Sequence, residues 1–222
     1  MESVGPPGIG VIFDMDGVLV DSAQAHRESW KVLAEEIGIP FAKEDFDRTF
    51  GRQNRDIIPI ALGIHEPDRV AELGDRKEAI YRDLVRAEPP IVAGAIQLVR
   101  ELHGMGVKLA VGSSAPSENV KLIVDAMGLD HCFHALVTGD EVEKGKPDPE
   151  VFLRCARKLS CDPARCVVVE DAPAGVDAAV HAGAKVVAVL IHHTADAFAD
   201  ADRCVDRLSS LTAAELIELA GS

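Results

Sequence analysis

The chain has 222 residues, 47% of them hydrophobic and 27% charged, a composition suited to a globular protein with a sizeable core. Its 37 acidic residues outnumber 23 basic ones, and the resulting formal charge of -14 argues against nucleic acid or anionic membrane as a partner. The start, MESVGPPGIG, lacks the basic and apolar parts of a secretory signal, and the longest convincing apolar run, Val186 to Ile191, is far too short to span a bilayer.

After a leader over Met1 to Gly8, the residues Ile9, Val11, Ile12 and Phe13 read as a short apolar strand. It runs into Asp14-Met15-Asp16-Gly17, where the glycine lets the chain turn. Residues two apart on an extended backbone point the same way, which places the Asp14 and Asp16 carboxylates together at the mouth of a sheet. Their repulsion must be offset by a bound cation, a shared proton, or both. A polar strand-to-turn junction accounts for the string equally well when it is taken alone.

From about Ser22 a helix carries His26, Trp30, Leu33 and Ile37 on one stripe and ends at Gly38-Ile39-Pro40. Helices over about Lys43 to Phe50, Asn54 to Leu62 and Pro67 to Ala87 follow. The last aligns Val70, Leu73, Lys77, Ile80 and Leu84, so Lys77 stands where an apolar residue is expected. It either snorkels at the edge of the packing or points into a cleft between two domains. In the loop Phe50 to Arg55, Arg52 either clamps a substrate anion or is a solvated arginine at a helix start.

Pro89-Pro90 and Ala93-Gly94 form a hinge, after which helix and strand alternate. Helix Ala95 to His103 leads to strand Val107 to Val111, and helix Ser117 to Met127 to strand Ala135 to Thr138. Helix Pro149 to Leu159 leads to strand Cys166 to Val169, and helix Gly175 to Ala182 to strand Val186 to Leu190. A helix over Ala213 to Leu219 closes the chain. This pattern predicts an α/β fold, a doubly wound parallel sheet with helices on both faces. Residues 1–20 and 93–222 form that core, and an all-helical domain over residues 21–92 is inserted after the first strand. Five cysteines (Cys132, Cys155, Cys161, Cys166, Cys204) contain no CxxC pair, which fits free thiols in a reducing cytoplasm.

Ligands of open parallel sheets bind at the carboxyl ends of the strands. Asp14 and Asp16 fall there. Ser113 follows the second strand with a helix start after it, offering either a hydroxyl and amides to an anion or a simple helix cap. Lys146 sits in Lys144-Gly-Lys-Pro-Asp-Pro, a loop stiffened by prolines, and Glu170-Asp171 end the CVVV strand with Gly175 in the turn beyond. Two carboxylates after a buried strand are costly unless metal or hydrogen bonds meet them. Together these residues are the equipment for phosphoryl transfer, and an all-oxygen ligand set suits Mg²⁺. His192-His193 read as an exposed loop pair rather than a metal site.

The segments DMDGVLVDS, VGSS, KGKPDP and VVVEDAPAG, in that order, resemble the motifs of the haloacid dehalogenase superfamily. The branch resembled is that of β-phosphoglucomutase-like proteins and small-metabolite phosphatases with a helical cap. The resemblance implies that Asp14 attacks phosphorus, that Asp16 acts as acid and then base, and that Ser113 and Lys146 hold the phosphoryl oxygens. It implies Mg²⁺ held by Asp14, the Asp16 carbonyl and Asp171, with Glu170 a further candidate. His26, Arg52, Lys77 and Ser114 are the implied substrate-binding residues. Asp16 argues against the dehalogenases proper, and the cap lacks a Schiff-base signature for phosphonate cleavage. The expectation is a Mg²⁺-dependent phosphatase of a small phosphorylated metabolite, a sugar phosphate among the candidates, with no obligate protein partner. A sugar-phosphate mutase is the alternative, although Gly51-Arg52-Gln53-Asn54 departs from the mutase pattern and Ser22 replaces its threonine. A non-catalytic scaffold would not need the Asp14 and Asp16 pair.

Overall fold

The computed structural model describes residues 8–49 and 52–222. The expected leader up to residue 7, and Phe50 and Gly51 of the Phe50 to Arg55 loop, lie outside the described residues. Strand β1 (Gly10–Phe13) is followed by helices α1 (Ala23–Ile37), α2 (Lys43–Thr49), α3 (Asn54–Ile57) and α4 (Pro67–Val85). Then come α5 (Ala95–Gly104), β2 (Lys108–Gly112), α6 (Ser117–Met127), β3 (Ala135–Val137) and α7 (Glu150–Leu159). The chain continues through β4 (Cys166–Glu170), α8 (Pro173–His181), β5 (Lys185–Val189), β6 (Arg203–Val205) and α9 (Ala213–Gly221). It divides into two compact units, Met1–Asp21 with Ile91–Ser222, and Ser22–Pro90.

In the first unit the strands form one parallel sheet in the order β3-β2-β1-β4-β5-β6. Every residue of β1 and β4 is buried, because helices cover both faces. One face carries Ile12, Ala110, Val168 and Val186, packed against Phe152, Cys155, Val176 and Ala179 of α7 and α8. The order reverses direction at β1, which pairs with β2 on one side and β4 on the other. A crevice at the carboxyl ends of such strands is where this architecture binds ligands. The sequence reading lacked β6, a three-residue edge strand in which Val205 is the one buried residue. Asp202, just before it, accepts from the Val186 amide at 2.8 Å and so sets its place beside β5.

In the second unit every regular element among the described residues is a helix. Trp30, Leu33, Phe46, Ile57, Ile58, Leu62, Leu73 and Ile80 make its core. The helix expected over Asn54 to Leu62 is broken into α3 and a π-turn at Ile58–Leu62. Pro59 stands at the break, where its missing N–H removes a rung of the helical ladder.

Candidate active site

Three strand ends bring the expected core residues together. The Asp14 amide donates to the Val169 carbonyl at 2.9 Å, so the β1–β4 ladder runs on into the site. Lys146 Nζ lies 2.9 Å from Asp14 Oδ1 and 2.6 Å from Glu170 Oε1. All three side chains are almost wholly buried. The Phe152 ring lies 4.9 Å below the ammonium. Glu170 Oε2 accepts from the amides of Asp171 and Ala172, both at 2.8 Å. Glu170 thus orients Lys146 with one oxygen and holds the turn after β4 with the other.

Oxygens of Asp14, Glu170 and Asp171 lie within 4.8 Å of one another, and this is the one such cluster among the described residues. Burial pushes the Asp14 carboxyl up to about 7; Lys146 pulls it down, while Glu170 and Asp16 add to the rise. Burial likewise raises Asp171 well above the usual carboxylate range, reinforced by Glu170 and Asp14. Burial works against the Lys146 ammonium, but Asp14 and Glu170 more than offset it and hold the group charged. With all three carboxylates ionised, one ammonium would leave two negative charges in excess, which is why Asp14 and Asp171 hold their protons more tightly than free carboxyls. A hard divalent cation with oxygen ligands would neutralise that excess, so the donor set fits Mg²⁺.

Two glycines make the crowding possible. Gly17 has φ +78, and a Cβ there would stand 1.9 Å from Asp171 Oδ2. A Cβ on Gly175 would stand 1.8 Å from Glu170 Oε1. The sequence signalled a turn at Gly17; it carried no sign that both glycines exist to let carboxylates approach the backbone.

Ser113 is fully buried, with its amide bonded to the Val137 carbonyl at 3.0 Å. Its Oγ accepts from the Ala115 amide at 3.1 Å. The helix-cap alternative is corrected here, since α6 begins only at Ser117 and Pro116 is the capping position. Ser114 is half-buried in the same turn. Asp16 is half-buried, and its charge acts on both Asp14 and Asp171.

Within the helical unit, Lys77 does not snorkel at the rim: its side chain is 3% exposed. It donates to Glu78 Oε1 at 2.8 Å, lies 2.6 Å from His26 Nδ1, and sits over the Trp30 and Tyr81 rings. His26 stacks on Tyr81 with ring centroids 4.1 Å apart. Asn54 Nδ2 donates to the same Glu78 oxygen at 2.7 Å. Burial would raise the Glu78 carboxyl, but Lys77 and His26 hold it below the ordinary value. Glu78, Asn54 and Tyr81 had no distinguishing mark in the sequence, because only the packing reveals what Lys77 meets. Arg52 is exposed, two residues before α3. His192 and His193 are exposed, and His193 sets its ring edge against Phe198. All five cysteines are free. No helix among the described residues is long and apolar enough to cross a membrane.

A family model described as haloacid dehalogenase-like hydrolase matches residues 10–183. A phosphorylated carbohydrates phosphatase of Thermotoga maritima is 32% identical over 191 residues, covering 84% of this chain and 87% of that protein. A β-phosphoglucomutase of Bacillus subtilis is 36% identical over 187 residues, covering 81% and 82%. Among solved structures, a mutant of CbbY from Rhodobacter sphaeroides in complex with xylulose-(1,5)-bisphosphate superposes with a TM-score of 0.86. It is 25% identical and covers 94% of this chain and 99% of that one.

Proposed function

This chain belongs to the haloacid dehalogenase-like hydrolases, and from that premise we propose that it is a Mg²⁺-dependent phosphatase of a small phosphorylated carbohydrate. The observation that carries the reading is the buried set of Asp14, Glu170 and Asp171 around the Lys146 ammonium. An Asp14 oxygen attacks phosphorus and the bond to the leaving oxygen breaks, giving an aspartyl phosphate. Asp16 protonates the leaving alkoxide and then takes a proton from the water that hydrolyses the phosphoenzyme. Lys146 and Ser113 hold the phosphoryl oxygens as charge develops on them. Asp14, the Asp16 carbonyl and Asp171 are the residues that would hold Mg²⁺, with Glu170 beside them. When bound, the ion neutralises the carboxylates and stabilises charge on the phosphoryl group. Substrate choice is assigned to His26, Arg52 and Lys77 of the helical unit and to Ser114. Names of relatives support the substrate class: a phosphorylated carbohydrates phosphatase and a fructose-1-phosphate phosphatase are each over 30% identical.

A sugar-phosphate mutase is the second reading, favoured by the 36% identity to a β-phosphoglucomutase. Hydrolysis is preferred because Arg52-Gln53-Asn54 and Ser22 depart from the mutase pattern. Incubation with β-glucose 1-phosphate and a trace of the 1,6-bisphosphate separates the two. Free phosphate without glucose 6-phosphate is expected, and rapid glucose 6-phosphate formation with little phosphate would establish the mutase. A panel of phosphorylated sugars then identifies the preferred substrate.

A further inference from the structure

Lys146 lies in a loop, residues 143–149, that belongs to no strand or helix, yet its ammonium must meet two carboxylates at once. A displacement of an ångström would break one of those contacts. We propose that Glu150, steadied by Arg154, is a positioning residue for Lys146, acting through the backbone of the loop; the proposal rests on the phosphoryl-transfer reading above.

Glu150 opens α7 and its side chain reaches back along the loop. Its Oε2 accepts from the amides of Glu143 and Lys144, both at 3.0 Å. Its Oε1 is gripped by the Arg154 guanidinium one turn on, from Nε at 2.8 Å and Nη2 at 2.7 Å. Loop amides need partners, and here one carboxylate supplies two of them. These donors hold the Glu150 carboxyl below its ordinary range. The loop closes on itself as Asp148 Oδ1 accepts from the Glu150 amide at 3.1 Å.

The same first turn of α7 also carries Phe152, whose ring supports the Lys146 ammonium. The lysine is therefore located twice from one helix, through its backbone by Glu150 and at its charged end by Phe152. That helix is a firm base: Val151, Phe152, Cys155, Ala156 and Leu159 are buried against the sheet. An i,i+4 Glu–Arg pair on a helix surface ordinarily contributes little by itself. What sets this one apart is the pair of backbone donors just before a buried lysine.

The test compares Glu150→Ala, Glu150→Gln and Arg154→Ala with Glu143→Ala. The last removes a carboxylate from the same loop yet keeps its donating amide. Misplacing a reacting group by an ångström can cost about a hundredfold, so Glu150→Ala should lower kcat/KM by roughly tenfold to a hundredfold. Glu150→Gln still offers one oxygen to both amides but turns an NH2 towards the Arg154 guanidinium, so it and Arg154→Ala should each recover part of the loss, and Glu143→Ala should match the wild type. Amide hydrogen exchange at Glu143 and Lys144, read without substrate, should speed up in Glu150→Ala and not in Glu150→Gln. Unchanged exchange in Glu150→Ala would refute the tether. Faster exchange with unchanged kcat/KM would refute the positioning role, as would equal losses in Glu150→Ala and Glu150→Gln. A wild type that turns over no phosphorylated compound would sink the phosphatase reading and the positioning role together, while exchange would still report on the tether.

Discussion

Gly175→Ala probes how firmly Glu170 is held. The new Cβ would lie 1.8 Å from Oε1 and 2.0 Å from Cδ of Glu170, so the carboxylate must leave its place. A flexible carboxylate end could swing aside cheaply on a surface, but Glu170 is fully buried and engaged by Lys146, Asp171 and Ala172. Charge-assisted hydrogen bonds contribute about 1.5–3 kcal/mol each, and breaking a buried ion pair costs about 3–5 kcal/mol. These losses overlap, so we expect a total of about 3–5 kcal/mol, a large part of the roughly 5–15 kcal/mol that holds a typical domain folded. At roughly 2–4 °C per kcal/mol for a chain of this size, the melting midpoint should drop by about 6–20 °C. Phosphate release should fall with it, because Lys146 loses one of the two carboxylates that fix its place. Gly104→Ala is the control, since Gly104 is an exposed helix residue whose added Cβ meets nothing within 4 Å. Thermal unfolding by circular dichroism reads both variants, and the control should melt at or slightly above the wild type. If Gly175→Ala melted with the control and kept its turnover, Glu170 would not be the fixed support described above.

Asp14→Asn should abolish phosphate release while the protein stays folded, and EDTA should silence the wild type until Mg²⁺ is restored; near-normal turnover by the variant would exclude Asp14 as nucleophile. The same variant has a pH signature: a carboxyl raised to about 7 keeps a proton that the unfolded chain releases near 3.8. Its stabilisation is therefore full below about pH 4 and lost as pH rises to about 7, so in EDTA the melting midpoint of Asp14→Asn should gain on the wild type across that window; a constant difference would count against burial as the cause. Glu78→Ala removes the carboxylate partner of buried Lys77 and should destabilise the protein by about 3–5 kcal/mol, read by urea unfolding; a change below about 1 kcal/mol would place water, not packing, around Lys77. Thr212→Ala breaks the capping box of α9, in which the Thr212 Oγ1 accepts from the Glu215 amide, and should cost about 1 kcal/mol. Glu215, lowered to about 2 by the Thr212 amide and Arg203, contributes stability present above about pH 4.5 and lost as pH falls through about 2; a Glu215→Gln variant should abolish that part of the acid melting profile.

The order of strands and helices was legible because each element advertises itself locally. CVVV and VVAV are continuous apolar runs, as strands covered on both faces must be, and the helices carry stripes at their own period. Asp14, Lys146 and Asp171, which the structure brings together, could be singled out because each stands in a short string at a strand end or in a stiffened loop; each string has an ordinary structural account when taken alone, and only their succession in one chain pointed to a common site. Local pattern could not say what these groups touch. Lys146 meets Glu170, 24 residues away, only because β4 pairs with β1, and strand order is a property of the whole sheet. Periodicity placed Lys77 on the inward stripe, but the Glu78, His26, Trp30 and Tyr81 that receive it converge from two helices. The work of Glu150 is hidden for the same cause, since its partners are backbone amides that no side-chain pattern records. Sequence determined which charges are present and which elements carry them; tertiary packing decided which of those charges meet, because burial and hydrogen-bond geometry depend on neighbours distant in the chain.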